Sequence, residues 1–273
     1  MEALPTFATK IKLNELDRKI RVGAVSYLNT KPLLYGIVNS PVINEISLVT
    51  EYPARIADKL LNDEIDIGLV PVSIVPQMKE YQVNTRYCIG CDGPVASVCL
   101  FSESPVEEIK TVLLDYQSRT SVALARILFE NHWKQNPRFE DAGPDFIGQI
   151  RDATAAIVIG DRALHQRSVS AYKYDLGEAW KQMTGLPFVF AAWISNKTLD
   201  AGWIRRFDEA NAFGIRNIRE VVKQSSIQEF DLQEYYTRYL SYVLDEKKKE
   251  GLDLFLKMLP DLPQESGFLR MRV

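Results

Sequence analysis

Polar side chains cluster in the stretch VSYLNTKPL, residues 25–33, immediately after the first apolar run of the chain. A residue before proline is biased away from the helical region, so Lys31 is predicted to be the last non-helical residue and Pro32 the first residue of a helix. Lysine is a poor helix cap, so the first N–H groups of that helix lack a side-chain acceptor and can bind a carboxylate. Asn29 and Thr30 then lie in the loop beside those donors.

Two interpretations of this turn stay open. Either the Asn29 or Thr30 side chain is a displaced helix cap, or both face a ligand cleft. Ser26 and Tyr27 add hydroxyls to the same turn. Tyr27 can be a cleft residue or, as is common for aromatic side chains, a core residue.

A second cluster of the same kind occurs in LDYQSRTSVALAR. Ser118 is a plausible N-cap, Thr120 and Ser121 add hydroxyls to the first helical turn, and Arg119 supplies a planar cation suited to a bidentate grip on a carboxylate. The alternative is an ordinary serine cap followed by a solvated arginine. Two helix starts that face each other would suit a small ligand with two anionic groups, each start contributing about 0.3 to 2 kcal/mol.

The elements that must position these turns alternate between strand-like and helix-like patterns. Strand-like runs occur at KIRVGAVSY, EISLVTEY, IDIGLVPVS, RYCIG and SVCLFS, and the amphipathic helix PARIADKLLNDE separates the second from the third. The pattern restarts with TVLLDY, a second helix and AAIVIG, and LPFVFAAWIS is interpreted as the strand that closes this second unit. Strands separated by helices predict βαβ units and mostly parallel sheets.

The predicted architecture is an α/β fold with two lobes and a ligand cleft between them. From Thr198 onwards the chain reads as almost purely helical, and these helices are expected to pack on the first lobe. Two chain crossings, near residues 98–104 and 190–196, place the cleft at the carboxyl ends of the strands. The predicted division is lobe one at residues 20–98 plus 196–273, lobe two at residues 99–195, and a leader at residues 1–19.

Composition excludes several classes of partner. Of the 273 residues 46% are apolar, and the net charge of −3 provides no basic surface for a nucleic-acid backbone or an anionic membrane. We therefore expect neither nucleic acid nor membrane as a partner. The N-terminal residues lack the pattern of a secretory signal, and no apolar run is long enough to span a bilayer, so a cytoplasmic protein is expected.

Metal and nucleophile motifs receive little support. Cys88 and Cys91 form a CxxC in a strand-like run, where residues three apart point to opposite faces, so two partly buried thiols are favoured over a metal site. His132 falls near the end of the second-lobe helix and His165 follows Asp161, and neither is in a cleft-facing turn. No GxGxxG, Walker, GxSxG or HExxH pattern occurs, so no side chain stands out as a general base or nucleophile.

Six stretches of the chain resemble, in order, the chorismate dehydratases of the futalosine route to menaquinone. The resemblance covers about residues 20–250 and implies a type II periplasmic-binding-protein-like fold. It also implies removal of water from chorismate, a dicarboxylate, to give 3-[(1-carboxyvinyl)oxy]benzoate, with no metal and no organic cofactor. The six stretches are VGAVSYLNTKPL, EYPARIADKLLNDEIDIGLVPVS, CDGPVASVCLFS, LLDYQSRTSVALAR, VIGDRAL and YDLGEAWKQMTGLPFVFAAW.

The resemblance also implies site residues. Asn29 corresponds to the asparagine of the family's YLNxxPL motif and is expected to bind the substrate and to matter for turnover. Val72 departs from the hydroxyl or small residue that the family often has after its L-[IV]-P turn, so the first hydroxyl of that turn is Ser73. The expected substrate-binding residues are Ser26, Tyr27, Thr30, Ser73, Gly93, Ser97, Ser118, Arg119, Thr120, Ser121 and Thr184.

Loss of the C4 hydroxyl and the C3 proton makes the substrate ring aromatic, so the driving force lies in the substrate. The hypothesis is that the enolpyruvyl carboxylate takes the proton while Asn29 and helix N–H groups hold it in place. Two alternatives remain: a 1,4-dihydroxy-6-naphthoate synthase of the same pathway, whose family relies on a cleft histidine, and a non-catalytic cytoplasmic protein that binds a small carboxylate. The positions of His132 and His165 speak against the first alternative.

Overall fold

The structure is a computed structural model that describes residues 18–227 and 230–259. These residues form two β-sheets, one of six strands and one of five, with helices packed on them. The two sheets are the centres of two lobes, as the alternating pattern predicts. Most of the predicted leader and the chain after residue 259 lie outside the described residues.

Helices and strands alternate along most of the chain. The strands are β1 (Ile20–Val25), β2 (Ile46–Glu51), β3 (Ile67–Pro71), β4 (Gln82–Cys91), β5 (Val98–Ser102), β6 (Thr111–Leu114), β7 (Arg138–Asp141), β8 (Thr154–Ile159), β9 (Tyr172–Asp175), β10 (Phe188–Ser195) and β11 (Ser241–Val243). The α-helices are α1 (Lys31–Val38), α2 (Pro53–Leu61), α3 (Thr120–Asn131), α4 (Asp161–Gln166), α5 (Leu176–Thr184), α6 (Ala201–Arg216), α7 (Ile218–Lys223), α8 (Leu232–Glu234) and α9 (Glu246–Met258). Short 3-10 turns occur at Leu28–Thr30, Pro41–Glu45, Val72–Gln77, Val106–Glu108 and Phe146–Gln149, and a π turn occurs at Tyr235–Tyr239.

Both sheets are mixed rather than mostly parallel as predicted. The first has the order β11-β4-β10-β3-β1-β2, in which β1 is parallel to β2 and β3, and β10 is antiparallel to β3 and β4. The second has the order β7-β6-β8-β5-β9, in which β6 is parallel to β7 and β8, and β5 is antiparallel to β8 and β9. Parallel pairs require a crossover connection. β5 and β10 enter from the other lobe, so no such connection fixes their direction.

The apolar run Phe188–Ser195 lies in the first sheet, and its predicted place in the second sheet is wrong. All eight residues are buried, because β10 is central in its sheet and pairs Ala191 with Pro71 of β3. An all-apolar strand indicates a central position but does not identify the sheet. The predicted end of lobe two at residue 195 therefore moves back to the loop between α5 and β10.

The two chain crossings shift accordingly. The first lies between β4 and β5, at residues 92–97, and the second between α5 and β10, at residues 185–187. Both come a few residues earlier than the predicted 98–104 and 190–196. The cleft was expected at the carboxyl ends of the strands. Between the two lobes, the strands whose carboxyl ends face each other are β1, β3, β6 and β8.

The C-terminal elements return to lobe one, as predicted, but they are not purely helical. Helix α6 packs on α1, and their backbones approach so closely that a Cβ atom at Gly214 would lie 1.9 Å from the backbone oxygen of Pro32. Within the segment predicted as almost purely helical, residues 232–244 instead form α8, the π turn and β11. The reason is that β4 would otherwise be an unpaired edge strand. The aromatic run that ends in SYV pairs with it as β11.

Cys88 and Cys91 are fully buried, and burial raises the pKa of the Cys88 thiol to about 12, so it stays protonated and unreactive at neutral pH. Residues 18–227 and 230–259 bring together no group of three His, Cys, Asp or Glu side chains that could hold a metal ion. Within the same ranges no helix is both long enough and apolar enough to cross a membrane.

Candidate functional site

A cavity lies between the two lobes, at the carboxyl ends of strands from both sheets. Its volume is about 50 Å³, which is space for one or two water molecules and far below the several hundred Å³ of a typical small-molecule site. Of the described residues that line it none is charged. The polar lining residues are Tyr27, Asn29, Ser97, Ser118, Thr120 and Ser121.

Asn29 lies in the 3-10 turn between β1 and α1, and two hydrogen bonds fix it. The Tyr242 hydroxyl donates to the Asn29 backbone oxygen at 2.9 Å, and Thr30 Oγ1 donates to Asn29 Oδ1 at 3.0 Å. Oδ1 already accepts one hydrogen bond, and the two N–H groups of Nδ2 are the donors that the side chain can offer to a ligand. Thr30, at the cap position of α1, accepts no helix N–H through its side chain, and Asn29 Oδ1 accepts the Thr30 hydroxyl rather than a helix N–H. The displaced-cap interpretation is therefore wrong.

The start of α1 differs from the prediction in one further respect. The helix begins at Lys31 rather than at Pro32, and it continues directly from the 3-10 turn. The N–H of Leu28 donates to Asp161 Oδ1 of lobe two at 3.0 Å. Burial raises the pKa of Asp161, although the bond from Leu28 and the charge of Lys31 oppose the rise. A donor of the turn before the helix therefore holds a carboxylate of the protein itself, whereas the predicted donors are the N–H groups of the helix that follows.

The lobe-two wall of the cavity, formed by Ser118, Thr120 and Ser121, follows the prediction more closely. Ser118 Oγ accepts the N–H of Ser121 at 3.2 Å, as a helix cap does, and Ser118 also lines the cavity together with Thr120 and Ser121. All three residues are buried. Ser73, a predicted site residue, lies behind this wall. Its N–H donates to Thr120 Oγ1 at 3.2 Å, across the lobe boundary.

Ser97 and Gly93 come from the first crossing, and only Ser97 lines the cavity. Ser97 is fully buried, and its Oγ accepts the hydroxyl of Tyr235 at 2.7 Å. Gly93 has a φ of +112°, which only glycine adopts readily, and an added Cβ would meet nothing within 4 Å. Gly93 thus shapes the crossing loop and does not form part of the cavity wall.

Six predicted substrate-binding residues lie outside the cavity lining. They are Ser73 and Gly93, described above, together with Ser26, Thr30, Arg119 and Thr184. Arg119 Nη2 pairs with Asp58 of α2, so its cation bridges the two lobes instead of facing the cavity. Thr184 bonds the backbone at the end of α5 through its hydroxyl. Ser26 is exposed, and its N–H donates to Glu51 O at 3.0 Å. The alternative of a solvated arginine is also wrong, because the Arg119 side chain is only 15% exposed.

Residues 20–261 match the family model described as menaquinone biosynthesis. The chain belongs to this family. Chorismate dehydratases of Thermus thermophilus and Campylobacter jejuni are 25% and 26% identical to it, over 87% and 86% of this chain and 94% and 95% of theirs. A Candida albicans protein with the generic periplasmic binding protein fold is 12% identical, with a TM-score of 0.60 over 92% of this chain and 93% of its own. The predicted fold and family are confirmed.

Sequence reasoning missed a hydrogen-bonded network behind Tyr27. The Tyr27 hydroxyl donates to Gln117 Oε1, which also accepts from Arg162 Nη2 at 2.9 Å. Arg162 in turn pairs at 2.8 Å with the fully buried Asp115. Burial raises the pKa of Asp115, and the charge of Arg162 opposes the rise. A signal was present, since Asp115 and Arg162 closely follow two apolar strands whose carboxyl ends meet.

Proposed function

We propose that this protein removes water from chorismate to give 3-[(1-carboxyvinyl)oxy]benzoate, a step in menaquinone biosynthesis. The observation that carries the proposal is the cavity lining, in which the amide of Asn29 lies across from the hydroxyls of Ser118, Thr120 and Ser121. Support comes also from the relatives named chorismate dehydratase, which align over most of the chain. Chorismate has two carboxylates and a hydroxyl, and neutral N–H and O–H donors can bind such oxygens.

The elimination breaks the C3–H and C4–O bonds. The electron pair of the C–H bond becomes a ring π bond, and the C4 hydroxyl leaves as water with the proton removed from C3, which its acceptor passes on. No carboxylate or imidazole occurs among the described lining residues, so the enolpyruvyl carboxylate of the substrate is the proton acceptor in this proposal. Asn29 Nδ2 holds that carboxylate over C3, and the lobe-two hydroxyls bind the ring carboxylate and the leaving oxygen.

Substrate entry requires the lobes to move apart, because the closed cavity of about 50 Å³ is too small for a ten-carbon ligand. Contacts that cross the cleft include the bond from Tyr27 to Gln117 and the bond from Leu28 to Asp161. Separation of the lobes breaks both. Closure on the substrate then restores these contacts and excludes water from the reacting atoms.

The direct test adds chorismate to purified protein and follows the change in absorbance as the ring becomes aromatic. Conversion to a single benzoate product is expected, and the Asn29→Ala variant is the control with a disabled site. Tight binding of chorismate by the wild-type protein without conversion would favour the alternative of a non-catalytic binding protein.

The 1,4-dihydroxy-6-naphthoate synthase alternative is not favoured. That activity was expected to need a histidine in the cleft, whereas His132 ends α3 and His165 is exposed on α4, and neither lines the cavity. Our proposal also includes the futalosine route and a cytoplasmic location, which both rest on the motif resemblance to chorismate dehydratases. Fractionation of the native cells, followed by an assay of each fraction with chorismate, tests the location.

A further inference from the structure

Two buried tyrosines of the C-terminal segment donate hydrogen bonds to two cavity residues. The Tyr235 hydroxyl donates to Ser97 Oγ at 2.7 Å, and the Tyr242 hydroxyl donates to the Asn29 backbone oxygen at 2.9 Å. The two tyrosines are 1% and 5% exposed. Burial raises the pKa of both phenols above the ordinary value, so they remain protonated donors. Both bonds approach the cavity wall from behind.

The bond from Tyr235 determines what the Ser97 hydroxyl can do. A hydroxyl has one proton, and because Ser97 Oγ accepts from Tyr235, its own proton is available to another acceptor. Within the protein that acceptor is Val95 O at 3.5 Å, the outer limit of a hydrogen bond. An oxygen of a ligand in the cavity is a better acceptor. The bond from the Tyr235 hydroxyl also polarises the Ser97 hydroxyl, which makes Ser97 a stronger donor.

The bond from Tyr242 acts on Asn29 in a related way. Tyr242 fixes the backbone of the 3-10 turn through the Asn29 oxygen, while Thr30 occupies Asn29 Oδ1. Together these bonds disfavour both a rotation of the turn and an exchange of the amide oxygen with the amide nitrogen. Asn29 is therefore held as a donor, as Ser97 is.

The segment that carries the two tyrosines departs from a regular helix. Tyr235 begins the π turn Tyr235–Tyr239, a rare conformation that is frequent at functional sites. Tyr242 lies on β11, which pairs with β4 through Ser241 and Gly90. Each tyrosine is thus held by its own element.

We propose that Tyr235 and Tyr242 are positioning residues that set Ser97 and Asn29 as hydrogen-bond donors towards substrate oxygens. The inference rests on the proposed function, since those oxygens belong to chorismate. In a cavity with no charged side chain among its described lining residues, the orientation of neutral donors takes the place of a fixed positive charge.

The first experiment compares three variants that each lose one phenolic oxygen and keep the ring. Tyr235→Phe and Tyr242→Phe are expected to lower kcat/KM about tenfold, the size expected for one hydrogen bond. Tyr236→Phe is the matched control, because Tyr236 is buried in the same segment and its hydroxyl bonds neither Ser97 nor Asn29 in the described structure. It is expected to stay within about twofold of wild type.

The second experiment separates positioning from a general structural role. If Tyr235 acts through Ser97, Tyr235→Phe causes little further loss of kcat/KM in a Ser97→Ala background, and Tyr242→Phe behaves likewise in an Asn29→Ala background. Additive losses in both backgrounds would overturn the inference, because they would mean that the tyrosines act elsewhere. Melting temperatures of all variants show whether a loss of activity follows from unfolding.

The outcomes for the two proposals are distinct. A wild-type protein that fails to convert chorismate contradicts the proposed function and this inference with it. Normal wild-type turnover, with Tyr235→Phe and Tyr242→Phe as active as Tyr236→Phe, contradicts the positioning roles alone.

Discussion

The two walls of the interlobe cavity begin their helices in different ways. In lobe two, Ser118 accepts the N–H of Ser121 within the same turn. In lobe one, the side chain of Thr30 at the cap position of α1 accepts no helix N–H, and the N–H of Leu28 in the preceding turn is bound by Asp161 of the other lobe. The N–H of Ser121 thus has its acceptor within lobe two, whereas the N–H of Leu28 has its acceptor only when the lobes are closed. Similar sequence patterns therefore produce a helix start that is stabilised within lobe two and a turn in lobe one that is stabilised only when the two lobes close.

The largest expected effect comes from the lobe-one wall. Asn29→Asp removes the Nδ2 donors and places a negative charge against a dianionic substrate. We expect kcat/KM to fall by about 10²- to 10³-fold, the usual cost of losing a donor to developing negative charge. Asn136→Asp is the control, since Asn136 is exposed in a loop of lobe two and should leave the kinetics unchanged. Undiminished turnover by Asn29→Asp would remove Asn29 from the site.

The next effect concerns how lobe one holds its wall in place. Gly214→Ala would put a Cβ atom 1.9 Å from Pro32 O. The two packed backbones can move apart to relieve this clash only at a cost in stability. We expect a loss of about 1 to 3 kcal/mol of stability, seen as a lower melting temperature. Gly148→Ala is the matched control, because its Cβ would meet nothing within 4 Å. Equal melting temperatures for the two variants would mean that α1 and α6 pack less closely than described.

A pair of variants tests the contrast between the walls directly. Ser118→Ala removes a helix cap and should cost about 1 kcal/mol of stability. Thr30→Val removes no cap but frees Asn29 Oδ1, so it should lower kcat with a smaller change in stability. Urea unfolding midpoints and kcat, measured on both variants, check this. A larger loss of stability in Thr30→Val than in Ser118→Ala would reverse the comparison.

Arg119 tests whether the lobe-two wall contributes to closure. Arg119→Glu opposes Asp58 with like charge and should raise KM a few-fold, because a partly exposed pair contributes only about 0.2 to 1 kcal/mol. The double variant Asp58→Arg with Arg119→Glu restores opposite charges and should recover most of the KM. If the double variant did not recover the KM, we would conclude that Arg119 binds the substrate directly.

The smallest effect is a dependence of stability on pH at the contact that completes the lobe-one wall. Burial raises the pKa of Asp161 in the folded protein, so between about pH 4, near its unfolded value, and the folded-state pKa the folded state binds more protons than the unfolded state. The stability of wild type relative to Asp161→Asn should therefore fall as the pH rises through that window. Unfolding free energies of both proteins at pH 4 and pH 6 measure the change. A relative stability that rises with pH would mean that the bond from Leu28 outweighs burial.

Much of the site could be predicted because its signals are local. Ser118 and the hydroxyls after it are recognisable as a helix start, and Asn29 stands in a turn that a lysine–proline step defines. The ion pair of Arg119 was not predicted, because its partner, Asp58, is 61 residues away along the chain. The Asp115–Arg162 pair was missed for the same reason, since its members are 47 residues apart.

The sequence by itself determined the alternation of strands and helices in the two lobes, the turns that carry polar groups, and the family of the chain. Hydrophobic periodicity, helix capping and turn chemistry depend on residues within about four positions of one another, so they can be predicted from the local sequence. Only the tertiary structure decided that β10 belongs to the first sheet, that residues 241–243 form a strand, and that Asp161 binds Leu28 from 133 residues away. Those outcomes depend on which surfaces meet when the whole chain packs, and no local pattern specifies such a partner.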